Sequence, residues 1–133
     1  MALWFALAVI AVLVGVLFVA VGMEDGPQPA DVALAYEIAW DRLDFDTLFD
    51  LSGPELRDGA KRPGFIATKR AAYEGVKRGR LAAHIAVENV VAAPDTALVV
   101  TNVSTDHGDV RNNVLMERRA GRWYVVGYSL RAT

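Results

Sequence analysis

The sequence predicts an α+β domain, helices first and an antiparallel sheet second, carried behind one apolar transmembrane helix. Three observations predict it. Of 133 residues, the first 23 contain no Asp, Glu, Lys, Arg or His. Between residues 30 and 79 apolar side chains recur at three- and four-residue intervals, the spacing of a helix face. From Leu81 onward the period changes to two, the spacing of half-buried strands. Helices followed by a run of strands on short connections give an α+β layer structure, with the helices on one face of the sheet.

Residues 2–21 are an unbroken apolar run. At 1.5 Å per residue a helix of about 20 residues spans the roughly 30 Å hydrocarbon core of a bilayer. Ala20, Val21 and Gly22 imitate a signal-peptide cleavage site, but no Lys or Arg precedes the run, and it exceeds the usual roughly 7 to 15 residues of such a signal. The expectation is a retained single-pass anchor over residues 1–23 in a cell membrane. On that helix Trp4, Ala8, Ala11, Gly15, Phe18 and Gly22 share one face, and the Ala11/Gly15 pair lets another helix approach closely. The nearest base is Arg42, so the charge rule for orientation has little to act on. The uncharged N-terminal tail tilts the soluble domain marginally to the cytoplasmic side. Residues 24–29, with Gly26, Pro27, Gln28 and Pro29, form a linker too short to let the domain at 30–133 roam.

Within the domain, Pro29 and Asp31 suit a helix start, and Val32, Tyr36, Ala39, Trp40 and Leu43 fall on one face. A short second helix over 46–51 carries Leu48 and Phe49 beside Phe45 and ends at Gly53-Pro54. After a polar turn with Gly59 and Pro63-Gly64, Phe65, Ala72, Tyr73 and Val76 mark a third helix. Lys77 and Arg78 suit its last turn and Gly79 its cap. Four strands are expected over 81–92, 96–105, 110–119 and 122–131. They are separated by Pro94-Asp95, Asp106-His107-Gly108-Asp109 and Ala120-Gly121, and so form a meander.

Tyr36 through Leu51, with Trp40, the Leu43-Asp44-Phe45-Asp46 corner and Leu48-Phe49, resembles the opening of the NTF2-like superfamily, particularly its SnoaL-like and ketosteroid-isomerase-like branches. Arg122-Trp123-Tyr124-Val125-Val126 after Ala120-Gly121 resembles the last hairpin of such domains. The resemblance implies three helices closing a conical, curved four-stranded sheet over most of residues 30–131. In the isomerase-like enzymes an Asp base and a Tyr with a protonated Asp line the cone. Tyr36 resembles the helix-one tyrosine and Asp58 falls close to the base. On the third strand, however, Asn113, Val114 and Leu115 stand where the second acid would be, so the resemblance implies an incomplete oxyanion pair. Tyr36 is then expected as a core residue and Asp58 as a loop carboxylate.

No other catalytic or cofactor signature is present. Cysteine is absent, and His84 and His107 have no ligand-type neighbours at metal spacing. His84 shares a strand face with Glu88, and His107 belongs to a turn. Neither a phosphate loop nor a nucleophile elbow is found, and no cofactor is expected. A net charge of −2 excludes the basic excess of a dedicated nucleic-acid binder. Eleven Arg against three Lys fits a GC-rich bacterial genome. Charge is segregated: residues 24–58 hold ten acids and two bases, residues 61–80 seven bases and one acid. Lys61, Arg62, Lys69, Arg70, Lys77, Arg78 and Arg80 therefore face either the acidic helices or an external acidic surface or lipid headgroup. The sequence favours a non-catalytic accessory or stabilising subunit of a larger bacterial membrane complex, of respiratory-chain or transport type. A small-ligand-binding domain with Tyr36, Trp40, Asp58, Val99 and Val114 about its cavity comes second. An isomerase- or hydratase-like enzyme comes third.

Overall fold

The computed structural model describes residues 26–75 and 84–131. The expected anchor and its docking face lie outside the described residues, as do Lys77, Arg78, Gly79 and Arg80. Among the described residues no helix is long and apolar enough to cross a membrane. The elements are α1 (Pro29–Arg42), α2 (Phe45–Leu51), a 3-10 turn (Pro54–Leu56), α3 (Arg62–Ala72), β1 (His84–Ala92), β2 (Thr96–Thr105), β3 (Gly108–Arg119) and β4 (Arg122–Leu130). The strands pair in sequence order as an antiparallel meander.

Each helix boundary has a local cause. Pro29 opens α1 at a position where the missing N–H costs nothing, and the Gln28 backbone N–H donates to the Asp31 carboxylate at 3.2 Å. The helix closes on Leu43, left-handed at φ 53°, with Leu43 N–H donating to Trp40 C=O (3.1 Å) and Asp44 N–H to Ala39 C=O (2.8 Å). Asp44 then caps α2, accepting from Thr47 N–H at 3.2 Å and from its hydroxyl at 2.7 Å. One tight corner thus turns the chain between two helices. The third helix departs from expectation at both ends. Pro63 and Gly64 lie in its first turn rather than in the turn before it, proline being tolerated there. It ends at Ala72, with Tyr73 as cap and Gly75 at φ 86°, sooner than Gly79 suggested, so Lys69 and Arg70 are the bases of its last turn.

The sheet is curved by two bulges, between Val87 and Asn89 and between Leu115 and Met116. Its concave face carries Val99, Val114, Met116 and Val125, all at most 1% exposed, against Val32, Ala33, Tyr36, Ala39, Leu43, Phe45, Leu48 and Phe65 of the helical layer. At its far margin α2 runs directly into the sheet. Ser52 forms a parallel bridge with Val125, and Gly53 N–H donates to Val125 C=O at 2.7 Å. A side chain at Gly53 would meet Glu55 Oε1 at 2.8 Å and Val126 Cγ1 at 3.1 Å, so it would fit only after those side chains shift.

The β2–β3 hairpin turns on Asp106-His107 alone, because Gly108 already pairs with Thr105. The β3–β4 hairpin turns on Ala120 and Gly121, with φ of 51° and 78°; both values are positive, as a turn matching the strand twist requires. Alanine is strained in that conformation and glycine is not. Ala120→Gly is expected to raise stability by about 0.5–1 kcal/mol in urea unfolding, after the greater entropy of unfolded glycine is subtracted.

Candidate functional site

The interior is not wholly filled. A cavity of about 450 Å³ opens between α1 and the sheet, lined by Glu37, Trp40, Asp41, Leu43 and Tyr73 from the helical layer and by Ile85, Val103, Thr105, Val110, Asn112 and Tyr128 from the strands. A second depression of about 530 Å³, on the far side of Tyr73, is walled chiefly by exposed residues of α3 and the turn after it, such as Arg70 and Glu74, and contains no buried polar side chain.

One carboxylate dominates the first cavity. Glu37 is 4% exposed, set in the apolar stripe of α1 four residues after Ala33 and next to Tyr36. Three strands each send it a donor. Thr101 Oγ1 of β2 donates to Oε1 at 2.8 Å, Asn112 Nδ2 of β3 to Oε1 at 3.1 Å, and the Tyr128 hydroxyl of β4 to Oε2 at 2.8 Å. Asn112 Nδ2 also donates to the Tyr128 oxygen at 2.8 Å, which commits the Tyr128 proton to Glu37. Every one of these three groups donates to the carboxyl. Burial first, and then the Glu37 charge and its hydrogen bond, hold the Tyr128 phenol well above the usual tyrosine range.

An aromatic wall stands beside this network. Trp40 meets Tyr73 edge-on at 5.5 Å and Phe45 at 6.5 Å, while Tyr36 meets Tyr128 edge-on at 5.1 Å. Burial raises the Tyr36 phenol as well, opposed by the Trp40 indole and the Ser52 hydroxyl beside it.

Of the five residues expected about a cavity, only Trp40 lines it. Tyr36, Val99 and Val114 are core residues, and Val99 and Val114 are fully buried. Asp58 is exposed on the outside of the helical layer, where it pairs with Lys69 at 3.4 Å. Asn113 points to the sheet's other face, since β3 places Asn112, Val114 and Met116 on the concave side. Of the basic residues described, Arg62 pairs with Asp46 at 3.3 Å and with Asp50, and lies over the Phe49 ring. Lys69 reaches Asp58 and the Phe65 ring, while Lys61 and Arg70 are exposed. His84 opens β1 in an exposed position, and Glu88 pairs with Arg111 at 3.0 Å. The residues that sequence reasoning missed are Glu37, Thr101, Asn112 and Tyr128. For Thr101 and Asn112 the signal is parity, each lying two residues from a buried valine of its own strand, Val99 or Val114; Glu37 lies in the buried stripe of α1, and Tyr128 reaches the inner face only through the bulge in β4.

No family model matches the sequence, and no curated protein is similar to it. Solved structures are. A candidate NTF2-like transpeptidase from Campylobacter jejuni is 14% identical with a TM-score of 0.53, covering 74% of this chain and 97% of its own. A DUF4783 family protein from Bacteroides ovatus is 13% identical with a TM-score of 0.50, over 72% of this chain and 90% of its own. A SEC-C motif containing protein from Rhodopseudomonas palustris is 18% identical with a TM-score of 0.52, over 76% and 77%. At such identities the likeness concerns the fold alone, and the chain has an NTF2-like α+β fold of three helices on a four-stranded sheet. That fold hosts enzymes and non-enzymes alike.

The network generates its own test. Tyr128→Phe removes one donor and is expected to cost about 1–2 kcal/mol; Glu37→Ala strands three donors and should cost about 3 kcal/mol, both read by urea unfolding. Because Tyr128 is raised above the ordinary value of 10.0, its contribution is intact below pH 10 and lost as pH rises beyond it. Tyr36, also raised, acts in the same direction. Tyr128→Phe should therefore flatten the alkaline fall in stability without abolishing it.

Proposed function

We propose that this chain is a non-catalytic, membrane-tethered domain that binds a small organic ligand in the cone. One observation carries the reading: a cavity of about 450 Å³ with largely apolar walls and a buried, hydrogen-bonded carboxylate at its base. Ligand sites commonly measure about 300–1,000 Å³ and combine apolar lining with a few placed polar groups. The aromatic rings line the space rather than plug it. Tethering rests on the charge-free apolar run at residues 2–21. Binding is favoured over turnover because Glu37 already accepts three internal donors and is poorly placed to move a substrate proton. The isomerase-type pair of Tyr36 and an acid also lacks support, since Asp58 faces solvent. Val103→Trp, which fills the cavity from β2, is expected to keep the fold by circular dichroism. It should lose both co-purified small molecules in native mass spectrometry and thermal shifts from a fragment panel. Identical hits in the variant and the parent would overturn the reading.

A second reading, an accessory subunit of a larger bacterial membrane complex, is favoured by the sheet's convex face. There Val91 is 62% and Leu115 48% exposed around a depression that also takes in Leu98 and Val126. Crosslinking in intact cells, gentle detergent extraction and mass spectrometry are expected to recover a defined integral membrane partner; recovery only as a free monomer would remove this reading.

A further inference from the structure

The cavity wall carries one acceptor that the fold leaves unanswered. Asn112 of β3 is 5% exposed and lines the cavity together with Glu37 and Tyr128. Its Nδ2 donates to Glu37 Oε1 at 3.1 Å and to the Tyr128 hydroxyl oxygen at 2.8 Å, so both amide hydrogens are committed. Turning the amide over would set its oxygen against the Glu37 oxygen that already receives Thr101, which holds the orientation. Oδ1 itself meets no donor among the described residues, yet it is not one of the interior atoms sealed from solvent. At a residue this deeply buried, on the wall of an open space, the space it meets is the cavity. We propose that the ligand is an uncharged, largely apolar molecule that donates one hydroxyl or N–H to Asn112 Oδ1. This rests on reading the cavity as a ligand site and specifies the ligand's chemistry.

Most other polar groups of the wall are already occupied. Glu37 receives three donors and the Tyr128 proton goes to it. The Thr105 hydroxyl donates to Gly108 C=O at 2.8 Å and accepts from His107 N–H at 3.1 Å, and Asp41 is not free either. Trp40 Nε1 has no partner, but it is sealed from solvent and lies beside the Tyr36 hydroxyl. An acceptor left bare in the interior is a standing cost, which a donor brought by a ligand removes. The amide is held before the ligand arrives, so little orientational freedom is lost on binding. One neutral oxygen answers a hydroxyl or an amide N–H in full; it does not replace the hydration shell of an ion. Leu43, Ile85, Val103 and Val110 make up much of the remaining wall and suit a hydrocarbon body. A ligand with acceptors alone, a ketone or an ether, would set oxygen against oxygen and leave Asn112 unanswered.

The test uses the full chain in detergent micelles, labelled with fluorotryptophan and read by fluorine NMR at Trp40, with affinities taken on free aqueous concentration. Three probes of one skeleton are titrated: borneol, which has a hydroxyl donor; camphor, its ketone, which has an acceptor alone; and protonated bornylamine, an ion. Borneol is expected to shift the Trp40 signal saturably and to bind about five- to tenfold more tightly than camphor or the ammonium ion. The carbon resonance of the Asn112 carboxamide should move with borneol and stay in place with camphor. Asn112→Ala should bring borneol to the affinity of camphor; should that variant not fold, the carboxamide signal of the parent decides. Camphor or the ammonium ion binding as tightly as borneol, or an Asn112 carboxamide unmoved by bound borneol, overturns the donor assignment, as does the lack of a saturable borneol shift up to its solubility limit. If camphor or the ammonium ion binds and Val103→Trp abolishes that binding, the cavity remains a ligand site of another chemistry. If Val103→Trp leaves every shift in place, the ligand-site reading fails with it.

Discussion

The placement of one acid under a helix governs this fold. Glu37 sits on the buried stripe of α1, and its carboxylate is met by β2, β3 and β4 through Thr101, Asn112 and Tyr128. An apolar contact there would tolerate sliding and rotation, since dispersion and burial are non-directional. Three directed bonds do not: they fix the azimuth of α1 and its height above three strands at once. A buried carboxylate is also costly, so the arrangement holds only when every donor is present. The rest of the helical layer follows from α1, because the Leu43-Asp44 corner leaves no freedom in how α2 departs from it.

The cavity is a by-product of that height. Close packing continues where small and branched residues meet, around Ala33, Val99, Val114 and Val125. Toward the other end of α1, Trp40, Tyr73 and Phe45 pack against one another within the helical layer beside the cavity. The bulges, at Glu88 of β1 and Val126 of β4, bend the sheet at the same time. Aromatic props and a bent sheet together keep a void open that aliphatic side chains would have closed.

Most of the architecture was legible, because it depends on periodicity and turn chemistry. The four strands, the meander order and the turn at Ala120-Gly121 follow from alternation broken by short polar separators, and α1 and α2 from apolar spacing. The third helix is shorter than the sequence suggests: Gly79 and the Lys77-Arg78 pair make an acceptable ending, but the helix stops at Ala72, and Gly75 follows at φ 86°. The site was less legible. Tyr36 stands out by its resemblance to the helix-one tyrosine, yet the acid at the cavity is the next residue, and acids on helices are ordinarily solvated. Asn112 and Asn113 are neighbours of identical type. Only the register of β3 against β2, set by pairs such as Thr101 with Asn112, decides which one faces inward. Glu37 and Tyr128 are 91 positions apart, and no local pattern can announce a bond over that distance.

The latch of Ser52 and Gly53 onto Val125 gives the two borders of the sheet different fates. Beside β4 part of the backbone that could recruit a foreign strand is already engaged by the chain's own return from α2. Beside β1 the described residues supply no such cover, and the deterrents are a kink at Glu88 and the charge of that side chain. Crowding many copies on a surface would therefore expose them to one another asymmetrically, by a single vulnerable rim, and a change that straightened the kink would leave the fold prone to strand exchange.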